Sequence, residues 1–324
     1  MRIRIPIFIL VVLFSSCSDN DDDNESYDKD FKQEMRDFVI GISEYAKTID
    51  PDFIVIPQNG QELVTIDGEE TGIPCTNYLS AIDGVGREDL YYGYDNDDVA
   101  TSLADREYMI SFLDICENNG VEVLTTDYCW THSKMDDSYT QNNAKSYISF
   151  AAPVRELNEI PDYPVFPYNA NNDSIGTLAD AKNFLYLINP ENYTSKQKFI
   201  NAVIATNYDV LIMDCFFEDV LFTLPEITQL KAKQNGGQRL VISYMSIGEA
   251  ENYRYYWNNS WETGNPSWIE NENPDWEGNY KVTYWDPEWQ SILFGNNDSY
   301  LKKILDAGFD GVYLDIIDAF EYFE

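Results

Sequence analysis

Apolar positions in this chain switch between a helical period and short continuous runs, and that switching carries the fold. Phe31, Met35, Phe38, Ile42, Tyr45 and Ile49 recur at three- and four-residue steps, so Lys29 to Ile49 is predicted to form an amphipathic helix. Apolar runs bounded by turn residues follow, separated by helical patterns. They are FIVIP (53–57), AIDGVG (81–86), VEVLTTD (121–127), FLYLIN (184–189), VLIMD (210–214), RLVISYMS (239–246), YKVTYW (280–285) and GVYLDI (311–316). Strands alternating with helices mean βα units and a parallel sheet. Eight of them predict an α/β protein, a (β/α)8 TIM barrel that starts with a helix and ends with a strand. A closed barrel permits that order because its first and last elements are neighbours. A ninth run, YISFAAP (147–153), reads as an extra strand in a connection.

Local signals punctuate the rest. Thr223 with Glu226 forms a capping-box pattern opening a helix that is expected to end at Gly236 and Gly237, and Asp298 opens another that stops at Gly308. Asn158 to Ala181 is rich in Pro and Asn without an apolar period, so it reads as a long surface connection. The opening MRIRIPIFILVVLFSSC sets two arginines before an apolar run too short to span a bilayer, the layout of a secretory leader. Its end resembles a bacterial lipobox, which implies cleavage before Cys17 and lipid attachment there. The acidic Ser18 to Asp28 then reads as a flexible tether, similar to those of surface-exposed outer-membrane lipoproteins in Gram-negative bacteria. Residues 29–324 remain as a single domain.

Composition narrows the chemistry. The formal net charge is −36, from 57 acidic against 21 basic residues, which argues against nucleic-acid partners because phosphate binding needs Lys and Arg. His132 is the one histidine, so acid–base work falls to carboxylates instead of a histidine-based triad or a His-rich metal site. Cys75, Cys116, Cys129 and Cys215 have spacings that fit neither a disulfide framework nor a zinc ribbon, and Cys116 and Cys215 sit in apolar runs as expected of buried thiols. No cofactor is expected: GGQR at 236–239 precedes a strand, the wrong context for a phosphate loop.

Five motifs, VISYMSIGEAENYRYYW (241–257), NYKVTYWDPEWQ (279–290), GFDGVYLDIIDAFEYF (308–323), IPQNGQEL (56–63) and IDGVGREDLYY (82–92), resemble glycoside hydrolase family 114. That family comprises TIM barrels related to endo-α-1,4-polygalactosaminidases. The resemblance implies hydrolysis of an α-linked, amino-sugar polysaccharide. In the family pattern the IPQNG, IDGVGRED and TTDY motifs follow the GVYLD strand, whereas here they precede it. Circular permutation accounts for this, with the connection 158–181 lying where the usual termini are joined; a truncated barrel is the alternative.

Glycoside hydrolysis needs two carboxyl groups flanking the scissile bond. Asp315 matches the acidic residue of the family's strand-end pattern, read here as LDI with the family's Asn lost, and Glu88 in GREDLYY matches the glutamate of its second acidic motif. Glu88 is assigned general acid/base and Asp315 nucleophile, with the reverse left open. Asp214, Glu249, Asp127 and Asp318 end or follow strands and are candidates to bind sugar hydroxyls or an ammonium group, as are Gln58 and Asn59 of PQNG. Tyr244, Tyr284 and Trp285 are candidate stacking surfaces among a wider set with Tyr128, Trp130, Tyr253 and Trp289; Arg254 and Arg87 are expected to pair with nearby carboxylates. An all-oxygen metal site from Asp214, Glu249 and Asp315 is a further possibility. A non-catalytic glycan-binding lipoprotein on the same scaffold is the alternative function.

Overall fold

The computed structural model of the chain describes residues 29–324. The expected leader, Cys17 and the acidic tether lie outside the described residues. The apolar stripe at the start forms helix α1, Phe31–Ile49, which buries Met35, Phe38, Val39, Ile42 and Ala46. Arg36 is buried on the same face because its guanidinium finds backbone partners, the carbonyls of Leu63 and Thr65 at 2.9 and 2.5 Å.

Eight parallel strands follow: β1 Ile54–Pro57, β2 Gly84–Glu88, β3 Glu122–Tyr128, β4 Ile148–Ala152, β5 Phe184–Tyr186, β6 Val210–Asp214, β7 Leu240–Ser246 and β8 Gly311–Asp315. They are almost wholly apolar in their middles because both faces are covered, as parallel sheets require. Hydrogen bonding orders five of them β1-β8-β7-β6-β5 and three β2-β3-β4, with every ladder parallel. The two sets meet at β1 and β2, where Gln58 bridges Gly86 in parallel and the Asn59 N–H donates to the Gly86 carbonyl at 2.8 Å. On the other side Phe150 of β4 and Phe184 of β5 have ring centroids 5.7 Å apart. The architecture is thus mixed α/β built on parallel strands.

One strand assignment changes. Residues 280–285 do not join the parallel set: Asn279–Val282 pairs antiparallel with Glu249–Glu251 and with Ile269–Glu272. The run at 147–153 takes that place as β4, paired with β3. Burial gives the reason, since every residue of β4 is buried, whereas Asn279–Val282 keeps one side partly open. Alternating YKVTYW suits a two-sided antiparallel strand and continuous ISFAA a covered parallel one.

Helix ends shift as well. Thr223 forms the expected capping box with Glu226, but the helix covers only Leu224–Leu230, because Ala232 and Gln238 pair across a turn that holds the glycines. Ser299, not Asp298, caps Tyr300–Ala307, and Gly308 closes it with φ 86° in the left-handed region. The connection 158–181 contains only one short 3-10 turn, Leu178–Asp180.

The same arrangement recurs at three strand beginnings. Asp83, Asp209 and Asp310 each precede a strand, accept a backbone N–H from a neighbouring segment (Val55, Lys182 and Val241) and pair with a lysine (Lys47, Lys233 and Lys231). The Lys233–Asp209 pair, 2.8 Å, is wholly buried and also holds Asn171 of the long connection. Lys233→Met strands the Asp209 charge and is expected to cost about 3–5 kcal/mol in denaturant unfolding. Lys302→Ala, which removes an exposed i,i+4 pair with Asp306, is expected to change stability by less than about 0.5 kcal/mol. Equal effects of the two would refute this ranking.

Candidate functional site

Parallel pairing points all eight strand ends the same way, and each delivers a side chain to one cleft of about 650 Å³. Gln58 and Asn59 follow β1, Glu88 ends β2, Tyr128 ends β3 and Arg155 follows β4; Tyr186, Asp214, Tyr244 and Asp315 come from the remaining strands. Register places Gln58 between two acids. Pro57 lies level with Leu314, so Gln58 stands beside Asp315 on one flank, while its bridge to Gly86 brings Glu88 to the other.

The Gln58 side chain joins the acids. Its Nε2 donates to Glu88 Oε2 at 3.0 Å and to Asp315 Oδ1 at 2.9 Å. The Tyr186 hydroxyl donates to Gln58 Oε1 at 2.9 Å, which fixes the amide so that its nitrogen faces the acids. Two oxygens sharing one amide nitrogen lie no more than about 6 Å apart, closer than the ~6.5–9.5 Å of inverting glycosidase pairs. Glu88 also accepts from the Tyr128 hydroxyl at 2.5 Å and from Asn59 Nδ2 at 3.0 Å. Asp315 accepts from the Tyr244 hydroxyl at 2.6 Å.

All these donors are neutral. Among the described residues neither Glu88 nor Asp315 forms an ion pair, so burial and the neighbouring Glu88 charge push the Asp315 carboxyl up to about 7. Asp315 therefore keeps its proton to higher pH than an ordinary carboxyl.

Cations sit one step out. Arg155 stacks its guanidinium 3.8 Å from the Tyr128 ring and pairs with Asp89 and Asp97 at 2.8 and 2.7 Å, bracing the tyrosine that donates to Glu88. Arg254 bridges Asp214 and Glu251, both at 2.6 Å, as expected of its pairing with strand-end acids. Arg87 instead donates to Gln61 at 2.7 Å and forms no ion pair among the described residues.

Several expected ligands lie elsewhere. Asp127 is wholly buried and accepts from the Tyr91 and Tyr92 N–H groups, Ser138 and Asn142, so it ties strand β3 to the following helix. Glu249 is buried in the first strand of the antiparallel sheet, accepting from Asn273, Asn279 and Tyr322; Glu251, two residues on, lines the cleft in its place. The Tyr284 hydroxyl donates to the Phe31 carbonyl and Trp285 packs 5.1 Å from the Phe31 ring, so both anchor α1. Trp289 is buried too, its indole N–H donating to the Ile247 carbonyl. Asp214, Glu249 and Asp315 do not converge, and no group of three His, Cys, Asp or Glu among the described residues could hold a metal ion. Asp318, Asp214, Tyr244 and Tyr253 do line the cleft.

Sequence reading missed Arg155, Tyr186 and Trp276. Tyr186 carried a signal, as a polar-tipped residue in the last position of a buried strand. Arg155 and Trp276 stand in irregular segments, where no period marks them. Gly86 matters by its size, since a Cβ there would run into the Tyr313 hydroxyl that fills the space beneath the acids. The four described cysteines are free.

Residues 171–324 match the model of glycoside-hydrolase family GH114. An uncharacterized protein of Methanocaldococcus jannaschii is 42% identical over 133 residues, 40% of this chain and 36% of that protein. One of Deinococcus radiodurans is 41% identical over 125 residues, 39% of this chain and 38% of that protein. One of Thermotoga maritima reaches 52% over 81 residues, 25% of this chain and 24% of that protein. The chain therefore spans well under half the length of these relatives.

Burial of Asp315 makes stability depend on pH. A carboxyl whose folded pKa stands above its unfolded value contributes stability fully below about pH 4 and loses it as pH rises through about 7. Asp315→Asn removes that loss. The variant is expected to unfold at a higher temperature than wild type at pH 8, with the difference shrinking at pH 5; a pH-independent difference would count against a raised pKa.

Proposed function

We propose, from the premise that this is a GH114-like chain, that it is a glycosidase cutting an α-linked polysaccharide between Glu88 and Asp315. The match to the family covers only 171–324, and it contains Asp315 but not Glu88. The observation that carries the reading is the Gln58 amide donating to both acids. It ties a carboxylate from the matched half to one from the other half.

The proposed scaffold is a closed (β/α)8 ring in permuted order. The match begins inside the connection 158–181, where permutation would join the usual ends. Lys32 and Glu324 pair at 2.5 Å, so the beginning and end of the folded body are adjacent. A rearranged gene encoding 171–324, a short linker and then 31–170 is expected to fold with the same circular dichroism and cooperative melt. Failure to fold would argue that the present order is obligatory.

The chemistry proposed is double displacement, because a gap under about 6 Å is closer to the ~5–5.5 Å of retaining pairs than to the ~6.5–9.5 Å of inverting ones. The protonated acid gives its proton to the leaving glycosidic oxygen while the ionised acid attacks the anomeric carbon, forming a glycosyl ester. Water then adds at that carbon, its proton passing to the first acid, and the ester bond breaks. Tyr128, Asn59, Gln58 and Tyr244 supply the neutral donors that stabilise whichever oxygen carries charge. Exposed Tyr253 and Trp276 offer stacking faces for sugar rings, and the excess of cleft acids over Arg155 and Arg254 favours a cationic, amino-sugar polymer. The leader and Cys17 support placement as a lipid-anchored protein of the outer membrane, facing such a polymer outside the cell.

Assays on α-1,4-linked galactosamine polymer are expected to show retention at the anomeric centre by NMR. Asp315→Asn and Glu88→Gln are each expected to lose more than about a hundredfold in rate. Turnover is expected to fall as pH rises through about 7, when Asp315 gives up its proton. Undiminished turnover in both variants would remove the assignment, and binding without any product would make the cleft a glycan receptor.

A further inference from the structure

Resting on the glycosidase reading, we infer that Arg155 is a positioning residue for Glu88, placing it from two sides through Tyr128 and Asp89 without bonding to it. Arg155 follows β4 in an irregular segment, yet its guanidinium reaches back across the end of β3 to the loop after β2. One side chain thus ties the ends of β2, β3 and β4 together. Its partners Asp89, Gly93, Asp97 and Tyr128 all lie outside the stretch matched to the family, so the arrangement belongs to the other half of the chain.

The first arm runs through Tyr128. The guanidinium lies 3.8 Å from the centre of that ring, and the Tyr128 hydroxyl donates to Glu88 Oε1 at 2.5 Å. A hydroxyl at the tip of a ring moves with every tilt of the ring, so a cation packed on its face fixes the point from which it donates. The second arm runs through Asp89, the residue next to Glu88 in sequence. Asp89 accepts from Arg155 Nη2 at 2.8 Å and from Nη1 at 3.4 Å. Its backbone stands at φ 60°, a conformation that residues bearing a side chain seldom take, so the turn after Glu88 has to be held from outside.

The other bonds of the guanidinium go to the same loop. Nε donates to Asp97 at 2.9 Å, and Nη2 donates to Asp97 at 2.7 Å and to the Gly93 carbonyl at 3.2 Å. Among the described residues Arg155 makes no hydrogen bond to Glu88. A cation bonded directly to a general acid/base favours its charged form, whereas one set behind a tyrosine and answered by two other carboxylates fixes position alone. Arg155 has the second arrangement.

The test measures kcat and KM separately on α-1,4-linked galactosamine polymer. Arg155→Met is expected to lower kcat about tenfold or more while changing KM by less than about threefold, because Glu88 is misplaced. Arg155→Lys, which keeps a cation beside the Tyr128 ring and loses the fork to Asp89, is expected to restore part of kcat. Unchanged kinetics, or a loss confined to KM, would overturn the inference. A double-mutant cycle identifies the route: removing Arg155 is expected to cost less in kcat once Tyr128→Phe has taken away the hydroxyl, and additive losses would count against it. Crystal structures of wild type and Arg155→Met provide a readout that needs no turnover. A displaced Tyr128 hydroxyl and Glu88 carboxyl support the inference, and an unmoved pair overturns it. If wild type cuts no polymer, the glycosidase reading fails, and the two crystal structures still decide whether Arg155 places Glu88.

Discussion

The position of β1 between β8 and β2 is the constraint on which the site depends. Parallel pairing on both sides puts Asp315 and Glu88 on the two flanks of Gln58 at one height, and a single amide nitrogen satisfies both. Tyr186, from across the strand set, turns that amide the right way. Shifting β1 by one residue would reverse every side chain in it and leave the two acids facing each other without the amide they share. The raised proton affinity of Asp315 comes first from its burial and then from the Glu88 charge, whose repulsion the neutral donors do not cancel.

The two ends of the parallel strands use carboxylates in opposite ways. Where strands begin, Asp83, Asp209 and Asp310 each have a lysine and a backbone N–H, and their charge is spent on tying neighbouring segments together. Where strands end, Glu88, Asp315 and Asp318 form no ion pair among the described residues, and Arg155 and Arg254 pair with other acids. Parallel βα architecture permits the two faces to differ in this way, since loops after the strands vary without disturbing the packed middle. The open acids cost stability at neutral pH, which the apolar core and the buried pairs offset.

How far the residues themselves announced this can be judged from particular cases. Runs such as VLIMD and GVYLDI are parallel strands because they are apolar on both faces, and the mixed α/β class follows from their alternation with helices. Glu88, Asp315, Gln58, Asn59 and Tyr244 were legible because each stands at or just past such a run. The same rule also selected Asp127, Glu249, Tyr284 and Trp285, which serve helix tethering, the antiparallel sheet and the docking of α1. At the level of sequence, an acid ending a strand and facing the cleft looks the same as one turned toward the next helix.

Local chemistry in the chain thus determined the kind of elements, most of their positions and the pool of acids from which a site could be made. Tertiary structure decided which run completed the parallel set, replacing 280–285 by 148–152, because burial on both faces is a property of neighbours and not of the run. It also decided which acids meet. Residues 88 and 315 are far apart in order, and only the pairing of β1 with strands from both halves brings them within reach of one glutamine.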